Sequence, residues 1–198
     1  MSGEGRGRYS VLMEEPRFLS GQLLLAMPGI GDPRFEKAVI AMCVHDEAGA
    51  LGIGLGRIVP RITFHDLLGQ LDIDRGAAPD VAIHLGGPVE PERGFILHSP
   101  DWGGQDSVHV AGRWVLSATL DILRAIAEGR GPSRWIAALG YAGWGAGQIE
   151  QELCGNGWFS TPGSDELLYG HDVEDRWGAA FRSAGVDPRL LTADFGTA

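Results

Sequence analysis

Apolar and polar residues along the chain alternate in short runs separated by glycine and proline. FLSGQLLLAM (18–27) reads as a strand, and MPGIGDP turns the chain behind it. Asp32-Pro33 supplies a helix N-cap followed by proline at the first helical position, so one short turn of helix is expected there. AVIAMCV (38–44) is β-branched and apolar enough for a buried strand. ALGIGLGRIV (50–59) reads as one glycine-interrupted strand, and Thr63 with Asp66 forms a capping box that opens a short helix. VAIHLGG (81–87) and RGFILHS (93–99) read as strands around a PVEPE turn, with His84 and His98 on strands that pair. SVHVAGRWVLS (107–117) reads as a strand or a hairpin turning at Ala111-Gly112.

The clearest helical period is SATLDILRAIAEG, with Leu120, Leu123, Ile126 and Ala127 on one face, Ser117 or Thr119 at its start and Gly129 at its end. RWIAALG (134–140) is a further strand. The glycine-rich loop 140–147 then leads into a helix, AGQIEQEL (146–153). GWFSTP (157–162) is the last strand. VEDRWGAAFRSAG (173–185) is the last helix, with Trp177, Ala180, Phe181 and Ala184 as its stripe. Strands and helices interleave without a regular βαβ period, which favours an α+β domain over a doubly wound sheet. Residues 1–16 read as a disordered N-terminal arm and 17–198 as a single domain.

Net charge narrows the function classes. The chain of 198 residues carries −10 and has one lysine, Lys37. Duplex binding needs clustered Lys and Arg, so no direct nucleic-acid partner is expected. No apolar run is long enough to span a bilayer, and MSGEGRGRYS lacks the apolar stretch of a signal peptide. These features, with two widely spaced cysteines, point to a cytoplasmic protein with reduced thiols.

Chemistry-bearing groups are sparse. Cys43-x-His45 pairs a thiol with an imidazole on what reads as one strand face, a combination that binds metal, activates a nucleophile or senses redox state. A buried packing cysteine beside a turn histidine is the plainer reading. Asp32 and Arg34 form either a carboxylate or phosphate clamp or an internal ion pair. Gly140, Gly143, Gly145 and Gly147 lead to a helix starting at Gln148, which offers either an anion cradle or a tight turn on which Trp144 packs. Gly52-x-Gly54-x-Gly56 lacks dinucleotide spacing, and there is no Gly-x-Ser-x-Gly or Ser-x-x-Lys motif. No catalytic set, cofactor or metal is assigned.

Three blocks carry a family resemblance: AMPGIGDPRFEKAVIAMCVHDEAGALGIG, LGGPVEPERGFILH and LGYAGWGAGQIEQELCGNGWF. With the closing DVEDRWGAAFRSAGVDPRLLTADFGTA, the chain from about residue 17 onward resembles the bacterial AlgH/YqgE family. The resemblance implies an α+β fold of coiled, mixed sheets forming a pseudo-barrel with flanking helices. It also implies the label of transcriptional regulator that members often carry. Where members continue into Asn-Arg-Pro, this chain has Gly56-Arg57-Ile58-Val59-Pro60, so any contact made through that Asn is absent.

The expected function is a non-enzymatic regulatory or adaptor protein acting through an unidentified protein partner. The alternatives are a small-molecule or anion binder, or an enzyme, using the turns at 28–34, 86–93 and 140–147, and a thiol redox sensor through Cys43. An apolar pocket with convergent polar groups at those turns favours the ligand reading. A flat surface bearing an exposed apolar patch favours the adaptor reading. The candidate surface comprises Asp32, Arg34, Cys43, His45, Trp144 and Gln148.

Overall fold

In the computed structural model, which describes residues 18–191, ten strands and five α-helices form a mixed α+β fold around a curled, largely antiparallel half-barrel. The expected arm at residues 1–16 lies outside the described residues. The strands are β1 (Gln22–Ala26), β2 (Val39–Asp46), β3 (Gly49–Gly54), β4 (Ile58–Thr63), β5 (Ala82–Leu85), β6 (Val89–His98), β7 (Val108–Val110), β8 (Trp114–Ser117), β9 (Trp135–Gly145) and β10 (Trp158–Pro162). The helices are α1 (Phe64–Gln70), α2 (Leu120–Ala127), α3 (Gln148–Cys154), α4 (Asp165–Tyr169) and α5 (Val173–Ser183). The main path runs β10-β1-β2-β3-β9-β6-β8-β7, and β7 returns against β2 to close the curl.

Alternation along β1 and the first half of β2 sorts side chains to two faces. Leu23, Leu25, Val39 and Ala41 enter a core that α4 and α5 cover with Leu167, Leu168, Ala180 and Phe181. Leu24, Ala26, Ile40 and Met42 point the other way, onto Ile149 of α3 and Trp158. A third core places Phe64 and Leu68 of α1 and Ile122 and Ile126 of α2 against Ile83, Ile96 and Ala137 of the sheet.

Local chemistry explains the element ends. Thr63 and Asp66 complete the capping box of α1, and Asp32 caps a single 3₁₀ turn, Pro33–Phe35. The hairpin β7–β8 turns at Ala111-Gly112, as the sequence suggests. Gly129, at φ 71°, ends α2 in the left-handed region.

Several expectations are corrected. The run 50–59 is two strands, because the chain leaves β3 after Gly54 and restarts at Ile58. PVEPE is no hairpin turn: β6 already begins at Val89, and residues 90–93 bulge between the pairs Val89–Tyr141 and Gly94–Leu139. The strands of His84 and His98 do not pair; β9 lies between them, parallel to β5 and antiparallel to β6. β9 does not stop at Gly140 but runs to Gly145, so the glycine-rich segment is mostly strand and only residues 146–147 form the turn. On α2, Leu120 is exposed while Ile122 is buried, since the helix starts at Leu120 and its first residue overhangs the sheet. Helix α4 is absent from the sequence reading altogether; Ser164 caps it by accepting from the Leu167 N–H.

Candidate functional site

Strand β9 has three neighbours. Its N-terminal half pairs with β6 on one side and with β5 on the other, through His84–Ala138 and Leu85–Leu139. Its C-terminal half changes partner to β3, from Gly52–Ala142 to Gly49–Gly145. The sheet therefore forks between Leu139 and Ala142. Backbone closes the crotch of the fork: Gly86 N–H donates to Leu139 C=O at 2.8 Å, and Gly86 C=O accepts from Gly54 N–H at 2.7 Å.

This crossing requires glycine. A Cβ on Gly86 would stand 2.1 Å from the Gly140 carbonyl oxygen, and one on Gly87 would stand 2.1 Å from the Tyr141 carbonyl carbon. The same close approach links the three Gly/Pro blocks of the sequence. Gly86 and Gly87 belong to the second block and Gly140 to the third. Gly54, the last residue of the first, would put a Cβ 2.7 Å from Leu85 C=O.

Beside the fork lies a cavity of about 230 Å³. Phe35, Val39, Ile40 and Gly54 come from the first block, Gly56 and Arg57 from the β3–β4 link, and Leu85, Pro88 and Pro91 from the second block. The walls are apolar side chains and glycine backbone. The charged side chains along the lining are Arg34 and Arg57. Arg34 is engaged: its Nε and Nη2 donate to Asp32, with Nη2 to Oδ2 at 2.7 Å, and this ion pair holds the Asp32 carboxyl below its usual range. Arg57 donates through Nη2 to the Pro33 carbonyl at 2.7 Å and has no carboxylate partner among the described residues. At Gly56 a Cβ would press on the Lys37 carbonyl oxygen at 3.1 Å, so in this chain the link lies directly against the start of β2.

The other candidate residues separate into two places. Cys43 and His45 do not share a face. Met42 pairs with Gly52 and Val44 with Leu51, so Cys43 is the extra residue of a bulge, and the alternation is reset behind it. Cys43 lies in the same core as Leu23, Trp114 and Leu116. Burial pushes its thiol up to about 12, although the Trp114 indole beside it pulls the other way.

His45 turns to the opposite face. Its Nδ1 accepts from Leu19 N–H at 3.0 Å, which leaves the proton on Nε2 to be donated to Glu150 Oε1 at 2.9 Å. Trp144 and Gln148 lie on the same side, bound to Glu152. Trp144 Nε1 donates to Oε2 at 3.0 Å and Gln148 Nε2 to Oε1 at 2.9 Å. Trp158 Nε1 also donates to Oε2, at 2.8 Å. Gln148 Oε1 in turn accepts from Gly145 N–H. This network clamps α3 to the sheet, and its members satisfy one another. No group of three His, Cys, Asp or Glu among the described residues could hold a metal ion.

Two further polar residues are buried, Arg176, which the sequence did not single out, and His84, which it placed on a strand without showing its burial. Arg176, on α5, is buried and donates to four carbonyls, those of Leu55, Leu167, Leu168 and His171. Its spacing from Ala179 and Ala180 was the available signal, because it shares their face. His84 is buried near it with Nδ1 unpaired. Desolvation, then the Arg176 charge, hold its pKa down to about 4.

Comparison with known proteins agrees with this fold. A family model described as AlgH-like, DUF179, matches residues 23–189. A UPF0301 protein of Rhizorhabdus wittichii is 63% identical over 186 residues, covering 94% of this chain and all of its own length. The UPF0301 protein Rru_A3059 of Rhodospirillum rubrum is 46% identical over 96% of this chain and 99% of its own. The solution structure of the AlgH protein from Pseudomonas aeruginosa superposes with a TM-score of 0.76 at 36% identity, covering 93% of this chain and 98% of that one. Protein DIP2367 of Corynebacterium diphtheriae shares the fold at 21% identity, with a TM-score of 0.70 over 86% of this chain and 90% of its own.

Proposed function

The chain belongs to the AlgH-like family, and from that premise we propose that it is a non-enzymatic regulatory protein whose forked sheet receives a small, largely apolar molecule. The observation that carries this reading is the cavity of about 230 Å³ beside the fork, where two of the three Gly/Pro blocks meet. A half-open apolar cleft with a few polar groups at its edge is a form that small-ligand sites take. The interlocked contacts of His45, Trp144 and Gln148 support a structural role for that second cluster. The deep burial of Cys43 supports packing over redox sensing. Cytoplasmic placement belongs to the proposal and is supported by two unpaired thiols, Cys43 and Cys154. Among the described residues, no helix is long and apolar enough to cross a membrane.

The test is to fill the cavity. Ala38 lines it and is only half-buried, so Ala38→Leu adds volume there at modest structural cost. A panel of small apolar compounds is screened by amide chemical shifts. Binding should perturb Ile40, Gly54, Leu85 and Gly86, and Ala38→Leu should abolish it while the melting temperature stays within a few degrees. Shifts elsewhere, or shifts that survive the substitution, reject the cavity.

A second reading, contact with a protein partner, draws on Ile58 and Leu85. They are 48% and 41% exposed beside the cavity, Leu85 as part of its lining and Ile58 on the neighbouring strand. Ile58→Asn, a neutral polar change, separates the two readings. It should leave small-molecule binding intact and remove a partner that seats on that surface.

A further inference from the structure

Resting on the cavity reading, we infer that the ligand is an anion, a small monocarboxylate with an aliphatic or aromatic tail, and that Arg57 holds its carboxylate. The charge around the cavity differs from that of the molecule. The chain carries −10 overall, yet among the described residues the lining contains two arginines and no carboxylate. Of the two, Arg34 is matched by Asp32 and adds little net field. Arg57 is unmatched. Arg57 is exposed at the cavity's edge; its Nη2 donates to Pro33 C=O at the start of the 3₁₀ turn, and its other N–H groups have no partner among the described residues.

A planar cation held at one corner offers its remaining donors in the geometry a carboxylate accepts. The wall beneath provides for the tail: Val39, Ile40, Leu85, Pro88 and Pro91 present no polar side-chain atom. A cationic tail would meet Arg57 without a counter-charge, and a neutral alcohol would forgo the charge-assisted contact. The volume of about 230 Å³ suits a short chain or a single ring.

The test compares three probes of one tail on the native protein: octanoate, octan-1-ol and octylammonium. Titration is followed by the amide shifts of Ile40, Gly54 and Leu85. Octanoate should bind at least about tenfold more tightly than octan-1-ol, and octylammonium more weakly than either. Arg57→Gln should cost octanoate about tenfold and leave octan-1-ol unchanged, while Arg57→Lys, which keeps the charge but not the fork, should fall between. Equal binding of octanoate and octan-1-ol overturns the anion inference and leaves the cavity reading standing. Tightest binding by octylammonium also overturns it. Binding of none of the three to folded wild-type protein overturns the cavity reading with it. If Arg57→Gln lowers folding stability, the comparison of probes on the wild-type chain still decides.

Discussion

Trp144 and Trp158 donate their indole N–H groups to the same carboxylate oxygen, Oε2 of Glu152, at 3.0 and 2.8 Å. The two rings meet edge to face with centroids 6.1 Å apart. One residue of α3 thus ties β9, in the middle of the sheet, to β10 at its edge. Glu152→Ala leaves two largely buried donors without a partner and should cost about 2–4 kcal/mol. Glu152→Gln keeps a carbonyl acceptor and should cost roughly half as much. Urea denaturation of both variants checks the order; equal losses would show that the carboxylate's charge, and not its acceptor geometry, is what counts.

Trp144 is 7% exposed and packs in the same core as Ile149 and Trp158. Trp144→Ala should lower stability by about 3–5 kcal/mol, as expected for a buried tryptophan truncated to a methyl. Thermal melting checks this. An unchanged melting temperature would move Trp144 from the core to a recognition surface.

Arg176 ties α5 to α4 and to the end of β3 through four carbonyls. Arg176→Met preserves much of the volume but strands those acceptors, and the expected loss is roughly 3–5 kcal/mol. The expected signature is a lowered urea midpoint with an unchanged slope. A variant as stable as the parent would mean that water reaches those carbonyls.

Acid should weaken the fold before the carboxylates titrate. His84 has its pKa depressed from 6.5 to about 4, so between these values the unfolded chain binds a proton that the folded chain refuses. Stability attributable to His84 is complete above about pH 6.5 and is lost as pH falls toward 4, by roughly 3 kcal/mol in all. His98, also depressed by burial, acts with the same sign. Asp101, held near 2 by Ser133 and Ser99, adds its loss only at lower pH. Melting temperature measured from pH 7 to 4.5 should fall, and His84→Gln should flatten the curve. An equally steep curve in the variant refutes the assignment.

The two thiols should behave differently. Cys154 is exposed at the end of α3, whereas Cys43 is buried with its ionised form strongly disfavoured. Ellman's reagent at neutral pH should modify one thiol per chain quickly, and Cys154→Ser should reduce that to none until denaturant is added. Fast labelling of Cys43 in that variant would reinstate it as a redox candidate.

Much of the architecture was legible because it rests on local chemistry. Asp32-Pro33, the Thr63–Asp66 box, Ala111-Gly112 and Gly129 each mark an element end through hydrogen bonds or dihedral preferences that a few neighbouring residues settle. What failed depends on partners distant in sequence. The glycines at 140–145 read as a loop because nothing nearby says that three strands converge on them. The bulge at Cys43 is invisible without the register of β3, and missing it put Cys43 and His45 on one face. Two of the cavity's walls were flagged as turns, but Arg57 was not among the candidate residues, since a lone arginine after a glycine-rich strand looks solvated.

The three partners of β9 also govern the order in which this chain becomes a protein during synthesis. Strands β1–β3, β4–β5 and β6–β8 pair internally, but no ladder joins one group to another until residues 135–145 arrive. A nascent chain released before that point holds three small sheets, each with an edge that only β9 will cover: Gly49–Gly52 in the first, His84 and Leu85 in the second, Phe95–Leu97 in the third. Such edges invite pairing with other chains. One strand late in the sequence therefore acts as the seam of the whole fold, and fragments ending before it are where aggregation should begin.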